Sequence, residues 1–237
     1  MKLTRALILI LILVLFALGL WQGVNKTDAL KLKSIQILGA STATENRLRK
    51  LLTINRGDSL WGKSVEAQAE LAKRDPWVEK AQVKRLFPNT LSVEVKERTP
   101  FAVLNEGDGR FKYVDSNNVV IDKAEPEKIG QYPVLVGREL RTNLNLRAQA
   151  LLLLKSLPEE GLMSRSDVGD LGFDVEHGFQ MHLARSGILI DVGKENIPLH
   201  IDRARRVVQY LDQHNINASR VDSDYAKKVL VKVRKGR

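Results

Sequence analysis

Residues 75–100 read DPWVEKAQVKRLFPNTLSVEVKERTP, two polar–apolar runs that meet at Pro88-Asn89. Trp77 to Phe87 leads in, and Thr90 to Glu97 returns. Proline arrives with its φ already set for a turn, so this pair joins the runs as a hairpin. On the returning run Leu91, Val93 and Val95 alternate with Ser92, Glu94 and Lys96. Successive strand side chains point to opposite faces, which predicts one buried and one wet face.

Working outward towards the N-terminus, Lys31–Leu38 (KLKSIQIL) offers Leu32, Ile35 and Ile37 to a core and ends at Gly39, as a strand does. Thr44 is the expected cap of a helix in which Leu48, Leu51 and Leu52 share a face. Gly57 breaks the chain. Ser64 then opens a second helix, with Val65, Ala69 and Ala72 on one side, that stops before Pro76. The order over 31–99 is therefore β-α-α-β-β.

Beyond Arg98 the texture changes to short strands and turns. FAVLN (101–105), RFKYVD (110–115) and NVVID (118–122) are separated by Gly107-Asp108-Gly109 and Ser116-Asn117. Leu144–Leu157 is a leucine-rich helix closed by Pro158, and strands are predicted around Leu171–Val175, Gly178–Ala184 and Gly187–Val192. Asn196 can cap a last helix with Ile197, Ile201, Ala204, Val208 and Leu211 on one face. Arg203, Arg205, Arg206 and Gln209 occupy its opposite, solvated face. Two strands, Ala218–Asp224 and Lys228–Arg234, end the chain, and the natural boundary lies near Thr99.

The 237 residues are 43% hydrophobic and 28% charged, a globular composition, with a net charge of +10. Basic residues are spread along the chain, and only 5% of residues are aromatic, none interleaved with a basic stripe. That pattern argues against nucleic acid as a partner. The absence of cysteine excludes disulfides, thiolate catalysis and Cys-based metal sites.

Ala6 to Trp21 is one uninterrupted apolar run, preceded by Lys2 and Arg5. A spanning helix needs about 20 residues, and Leu3 to Val24 reaches that length with Arg5 snorkelling and Trp21 at the headgroups. The reading is a cytoplasmic tail (1–5), a membrane span contacting lipid (6–24), a linker (25–30) and two exported domains (31–99, 100–237). A cleaved signal peptide is the rival, since Ala17-Leu18-Gly19 has a small-x-small pattern. The predicted class is α+β: one N-terminal transmembrane helix, the β-α-α-β-β domain, and a mixed α/β C-terminal domain with an antiparallel sheet.

Gly57-Asp58-Ser59-Leu60-Trp61-Gly62-Lys63-Ser64 matches the phosphate-binding pattern G-x-x-x-x-G-K-[ST] at every fixed position. Ile188–Asp191 could supply its acidic metal partner at a strand end. The context opposes it, because an amphipathic helix and not a buried strand precedes the loop, and Trp61 is bulky where phosphate would approach. His177, His182, His200 and His214 form no H-x-x-x-H pair. No enzyme, cofactor or metal site is predicted. Lys228–Arg234, as the final strand, can leave an edge unpaired, and such an edge is a template for strand addition. Lys228, Lys232 and Arg234 would blunt self-pairing and attract an acidic partner.

The stretch from Asp75 to Leu91, with Val95-Lys96-Glu97-Arg98-Thr99-Pro100, resembles in order and spacing the hairpin of the FtsQ/DivIB family of bacterial cell-division proteins. Lys112–Val120 is similar to a second hairpin of that family, with Asn118 near its glycine. The resemblance implies a POTRA domain, then a β-rich domain, in a non-catalytic inner-membrane divisome scaffold at the division septum. It implies FtsB and FtsL type single-span coiled-coil partners, other divisome proteins, and recruitment through the POTRA domain. It places partner binding on Tyr225, Lys228, Val229, Leu230, Val231 and Lys232. Tyr225 matches the tyrosine of the family's "DLRY" segment, which reads Asp222-Ser223-Asp224-Tyr225 here, and no tryptophan follows it. The plainer alternative for Tyr225 is packing against the sheet. The alternative function is a POTRA-bearing periplasmic chaperone of outer-membrane protein insertion or secretion, although only one such unit is visible and no barrel alternation follows.

Overall fold

The computed structural model describes residues 10, 12–16, 31–225 and 228–234. The expected tail (1–5), linker (25–30) and most of the expected span (6–24) lie outside the described residues; residues 10 and 12–16 are helical. Among the described residues no helix is long and apolar enough to cross a membrane. The chain divides into two compact units between Arg98 and Thr99.

The first unit runs β1 (Ser34–Leu38), α1 (Thr42–Leu51), α2 (Val65–Ala72), β2 (Val78–Leu86) and β3 (Thr90–Glu97). Its sheet order is β1-β3-β2, with β1 parallel and β2 antiparallel to the central β3. The alternation on β3 sends Leu91, Val93 and Val95 into a core with Leu32, Leu48, Leu60 and Val83. Burying each such side chain contributes about 1.5–3 kcal/mol, which fixes the register because a one-residue slip would turn all three to water. Ser92, expected on the wet face, is 2% exposed, since this small side chain stands between the longer Gln36 and Lys84 of the flanking strands.

The cap of α1 is Ser41, not Thr44. A capping residue must be extended while its oxygen reaches an N–H two or three positions on. Ser41 has φ −65° and ψ 158°, and its Oγ accepts from the Thr44 N–H at 3.4 Å. Thr44 lies inside the helix, buried, with its hydroxyl accepting from Arg47 Nη2 at 2.8 Å. Ser64 caps α2 as expected, accepting from the Ala67 N–H at 3.2 Å.

The second unit holds β4 (Pro100–Gly107), β5 (Arg110–Asp115), β6 (Val120–Lys123), β7 (Val134–Val136), α3 (Arg138–Thr142), α4 (Leu144–Ser156), β8 (Val168–Asp174), β9 (Gly178–Leu183), β10 (Leu189–Gly193), α5 (Ile197–Gln213), β11 (Ala218–Asp222) and β12 (Leu230–Val233). They build one nine-stranded sheet in the order β12-β11-β10-β9-β8-β7-β4-β5-β6. The expectation of an antiparallel sheet is corrected: β4–β7, β7–β8 and β10–β11 pair in parallel. Parallel neighbours need a crossover, and α3–α4 supply it before β8 as α5 does before β11. Ile201, Ala204, Val208 and Leu211 of α5 are buried against the sheet core, together with Leu151 and Leu154 of α4.

Asn118 occupies φ +67°, a left-handed conformation that glycine adopts most easily and asparagine next. Its side chain also accepts from Arg147 Nε at 2.6 Å and donates to the Leu144 carbonyl at 2.9 Å. Burial depresses the basicity of the Arg147 guanidinium.

Candidate functional site

Strand β12 is an edge of the nine-stranded sheet. Among the described residues it pairs with β11 alone, antiparallel, through Ala218↔Val233, Arg220↔Lys232, Val221↔Val231 and Asp222↔Leu230. All four of its residues are exposed. Alternation puts Leu230 and Lys232 on one face and Val231 and Val233 on the other. Val229 is different: it is partly buried and packs on the core, where it fastens the start of the strand. Tyr225 is 43% exposed, and the Lys228 ammonium lies 5.5 Å from its ring centroid. The expected site residues thus gather at one end and along one edge of the sheet, with Val229 turned inward.

The segment before β12 is held by bonds the sequence did not reveal. Ser223 is fully buried; its N–H and its Oγ both donate to the Asp191 carbonyl, at 3.0 and 2.7 Å. The Asp224 carboxylate lies against Gly193, at φ +83°, where an added Cβ would sit 2.1 Å from Oδ1. Its Oδ1 is also 3.6 Å from Nδ1 of the buried His200. Arg203 Nη1 donates to the Tyr225 carbonyl at 3.0 Å. Arg203 was expected only to be solvated surface, and no local pattern announces this bond.

Below that segment the Asp191 carboxylate, 3% exposed, accepts from Gln180 Nε2 at 2.6 Å and from Arg220 Nη2 at 2.9 Å. The carboxylate holds the Arg220 guanidinium more firmly protonated than usual. Glu176, His177, Asp191, Asp222, Asp224 and Tyr225 line a cleft of about 260 Å³. The region therefore presents a basic strand beside an acidic cleft.

The phosphate-binding pattern has another explanation. Both of its fixed glycines turn their N–H groups to protein carbonyls: Gly57 donates to Leu32 at 2.8 Å and Gly62 to Ser59 at 3.0 Å. Lys63 Nζ bonds the Thr53 carbonyl and pairs with Asp58 at 3.2 Å, and Ser64 is the α2 cap. Helix α1, not a strand, precedes the loop. A phosphate cradle needs those N–H groups free and convergent. Of the histidines, His177 and His182 each lie 2.9 Å from an aspartate, Asp174 and Asp170, and His214 lies 2.9 Å from the Tyr210 carbonyl.

Comparison with known proteins matches both units. A family model described as "POTRA domain, FtsQ-type" matches residues 30–98, and one described as "Cell division protein FtsQ/DivIB, C-terminal" matches residues 102–224. The chain is 32% identical over 225 residues to a "Cell division protein FtsQ" of Anaeromyxobacter sp. (strain K), covering 89% of this chain and 76% of the relative. It is 25% identical over 221 residues to one of Geotalea daltonii, covering 90% and 80%. A relative from Geobacter sp. (strain M21) is 26% identical over 220 residues, with the same coverage. The second match ends at Asp224, so Tyr225 and β12 lie just beyond it. With both of its units accounted for in this way, the chain belongs to the FtsQ/DivIB family of cell-division proteins.

Proposed function

We propose that this chain is a non-catalytic, single-pass inner-membrane scaffold of the divisome that captures FtsB and FtsL type coiled-coil proteins by pairing a partner strand with β12. Residues 6–24 cross the membrane with 1–5 in the cytoplasm, and both units, 31–99 and 100–237, work in the periplasm at the septum. The first unit receives upstream divisome proteins, and the second passes the link on towards septal peptidoglycan synthesis.

The observation that carries this reading is the open edge at β12, whose four residues are exposed and which has β11 as its one neighbour among the described residues. An edge strand presents a row of unpaired N–H and C=O groups, so main-chain hydrogen bonds supply affinity and alternate side chains supply selection. Leu230 and Val231 offer apolar contact on opposite faces, Lys228 and Lys232 offer charge, and Tyr225 offers an anchor at the strand's start. The bonds from Ser223 and Arg203, with Asp224 packed against Gly193, hold that anchor in place before binding, which lowers the entropy lost on association.

The test is in-cell photo-crosslinking from position 230 or 232, with adducts identified by mass spectrometry. A small single-span coiled-coil protein in the adduct is expected. An outer-membrane protein, or no adduct from a well-expressed chain, would move the function or the binding face elsewhere.

A further inference from the structure

Three segments meet at one end of the first unit. The chain enters there: Lys31 bridges Ser59, and the Leu32 N–H donates to the Asp58 carbonyl at 2.8 Å. The β2–β3 hairpin tip is there too, because the Lys33 N–H donates to the Asn89 carbonyl at 2.8 Å. Arg85 ties the 57–63 loop to β2, donating from Nε to the Leu60 carbonyl and from Nη2 to the Lys63 carbonyl, both at 2.8 Å.

This end displays large aromatic side chains to the outside. Trp61 is 63% exposed and Phe87 79% exposed. A singly exposed apolar residue needs no explanation, but here two stand on segments tied to one end of the unit, which also carry exposed Lys33 and Arg56 and make that end amphipathic. Trp61 is also held ready, since the Arg85 guanidinium lies 5.0 Å over its ring while bonded to the loop backbone on either side. Aromatic rings beside cations are the composition of a membrane–water interface, the rings sitting among headgroups and the cations on lipid phosphates.

Chain length brings a membrane within reach. A linker of residues 25–30, fully extended, spans at most about 20 Å, so the end carrying Lys31 stays that close to the end of the span. We infer that the hairpin-tip end of the first unit docks on the anionic outer leaflet, with Trp61 and Phe87 in the headgroup layer and Lys33 and Arg56 on lipid phosphates. This rests on the proposed membrane anchor and adds to it an orientation: β2 stands away from the bilayer, tip down.

The chain has no cysteine, so single substitutions W61C, F87C and R74C each carry one nitroxide label in the full chain. Arg74 is exposed and lies near the opposite end of β2, roughly 30 Å away at strand rise. The labelled chains are placed in phosphatidylethanolamine–phosphatidylglycerol vesicles, checked by flotation, and collision rates are read with oxygen and with a water-soluble nickel complex. Labels at 61 and 87 are expected to gain oxygen and lose nickel contact relative to 74. Replacing phosphatidylglycerol with phosphatidylcholine should weaken the docked orientation about fivefold per engaged cation. Floating vesicles in which 61 and 87 are as water-accessible as 74 would overturn the inference while leaving the anchor standing. Failure to float would remove the anchor, and the docking with it.

Discussion

The Arg220 guanidinium on β11 closes on the Asp191 carboxylate of β10, with Nη2 2.9 Å from Oδ1 and the carboxylate 3% exposed. The pair lies under the segment that carries Tyr225, because the same Asp191 accepts two bonds from Ser223 through its carbonyl. Removing Arg220 leaves a buried carboxylate with Gln180 as its remaining side-chain donor. Arg220→Ala is expected to cost about 2–3 kcal/mol in urea unfolding. The double variant with Asp191→Asn should cost less than the sum of the two single changes.

Tyr225→Ala and Lys232→Glu remove exposed groups from the proposed docking edge without touching the core. Each should leave stability within about 0.5 kcal/mol of the parent chain. Each should weaken capture of the coiled-coil partner in a pull-down from detergent extracts. Unchanged capture by both variants would move the binding face away from β12.

Lys63 holds a backbone carbonyl and a partly exposed aspartate, not a phosphate. Lys63→Ala should cost under about 1 kcal/mol, in line with exposed ion pairs. Magnesium nucleotide should shift the melting temperature of neither form. A nucleotide-dependent shift in the parent chain, lost in the variant, would reinstate the phosphate-loop reading.

Asn118→Ala combines two losses, the side-chain bonds to Arg147 and Leu144 and the ease with which asparagine holds φ +67°. About 2 kcal/mol of destabilisation is expected. Asn118→Gly, which relieves the backbone and still loses the bonds, should fall between the two by thermal melting.

Asp174 accepts from the His177 N–H, meets the His177 ring and accepts from the Glu176 N–H, which together lower its pKa from 3.8 to about 2. A folded value below the unfolded one stabilises the native state above the unfolded pKa and is lost as pH falls towards the folded one. The stability difference between the parent chain and Asp174→Asn should therefore be fully present at about pH 5 and shrink between about pH 4 and pH 2. Urea midpoints across that range would show it, and a difference that widened on acidification would contradict it.

The hairpin at Pro88, the β-α-α-β-β order and the buried face of α5 were legible because each rests on residues within a few positions of one another. Alternation of Leu91, Val93 and Val95 and the alternating four- and three-residue spacing of Ile197, Ile201, Ala204, Val208 and Leu211 are local patterns with a local cause. Capping was legible at Ser64 and misplaced by three residues at Thr44, since hydroxyls at both Ser41 and Thr44 could serve and only backbone conformation separates them. Strand β7, three residues long, is too short to carry an alternation at all. The sheet order was invisible for a different reason. Val103 pairs with Val134 and Leu135 with Leu171, partners chosen by packing across dozens of residues, and nothing in either run names the other. The same holds for the candidate site: the basic final strand could be read from the chain, but its place at an edge and the tethering of Tyr225 through Ser223, Asp224 and Arg203 come from tertiary contacts. The phosphate-loop pattern shows the reverse, because its letters were complete while the N–H of Gly57 was turned to the Leu32 carbonyl by the folded chain beside it.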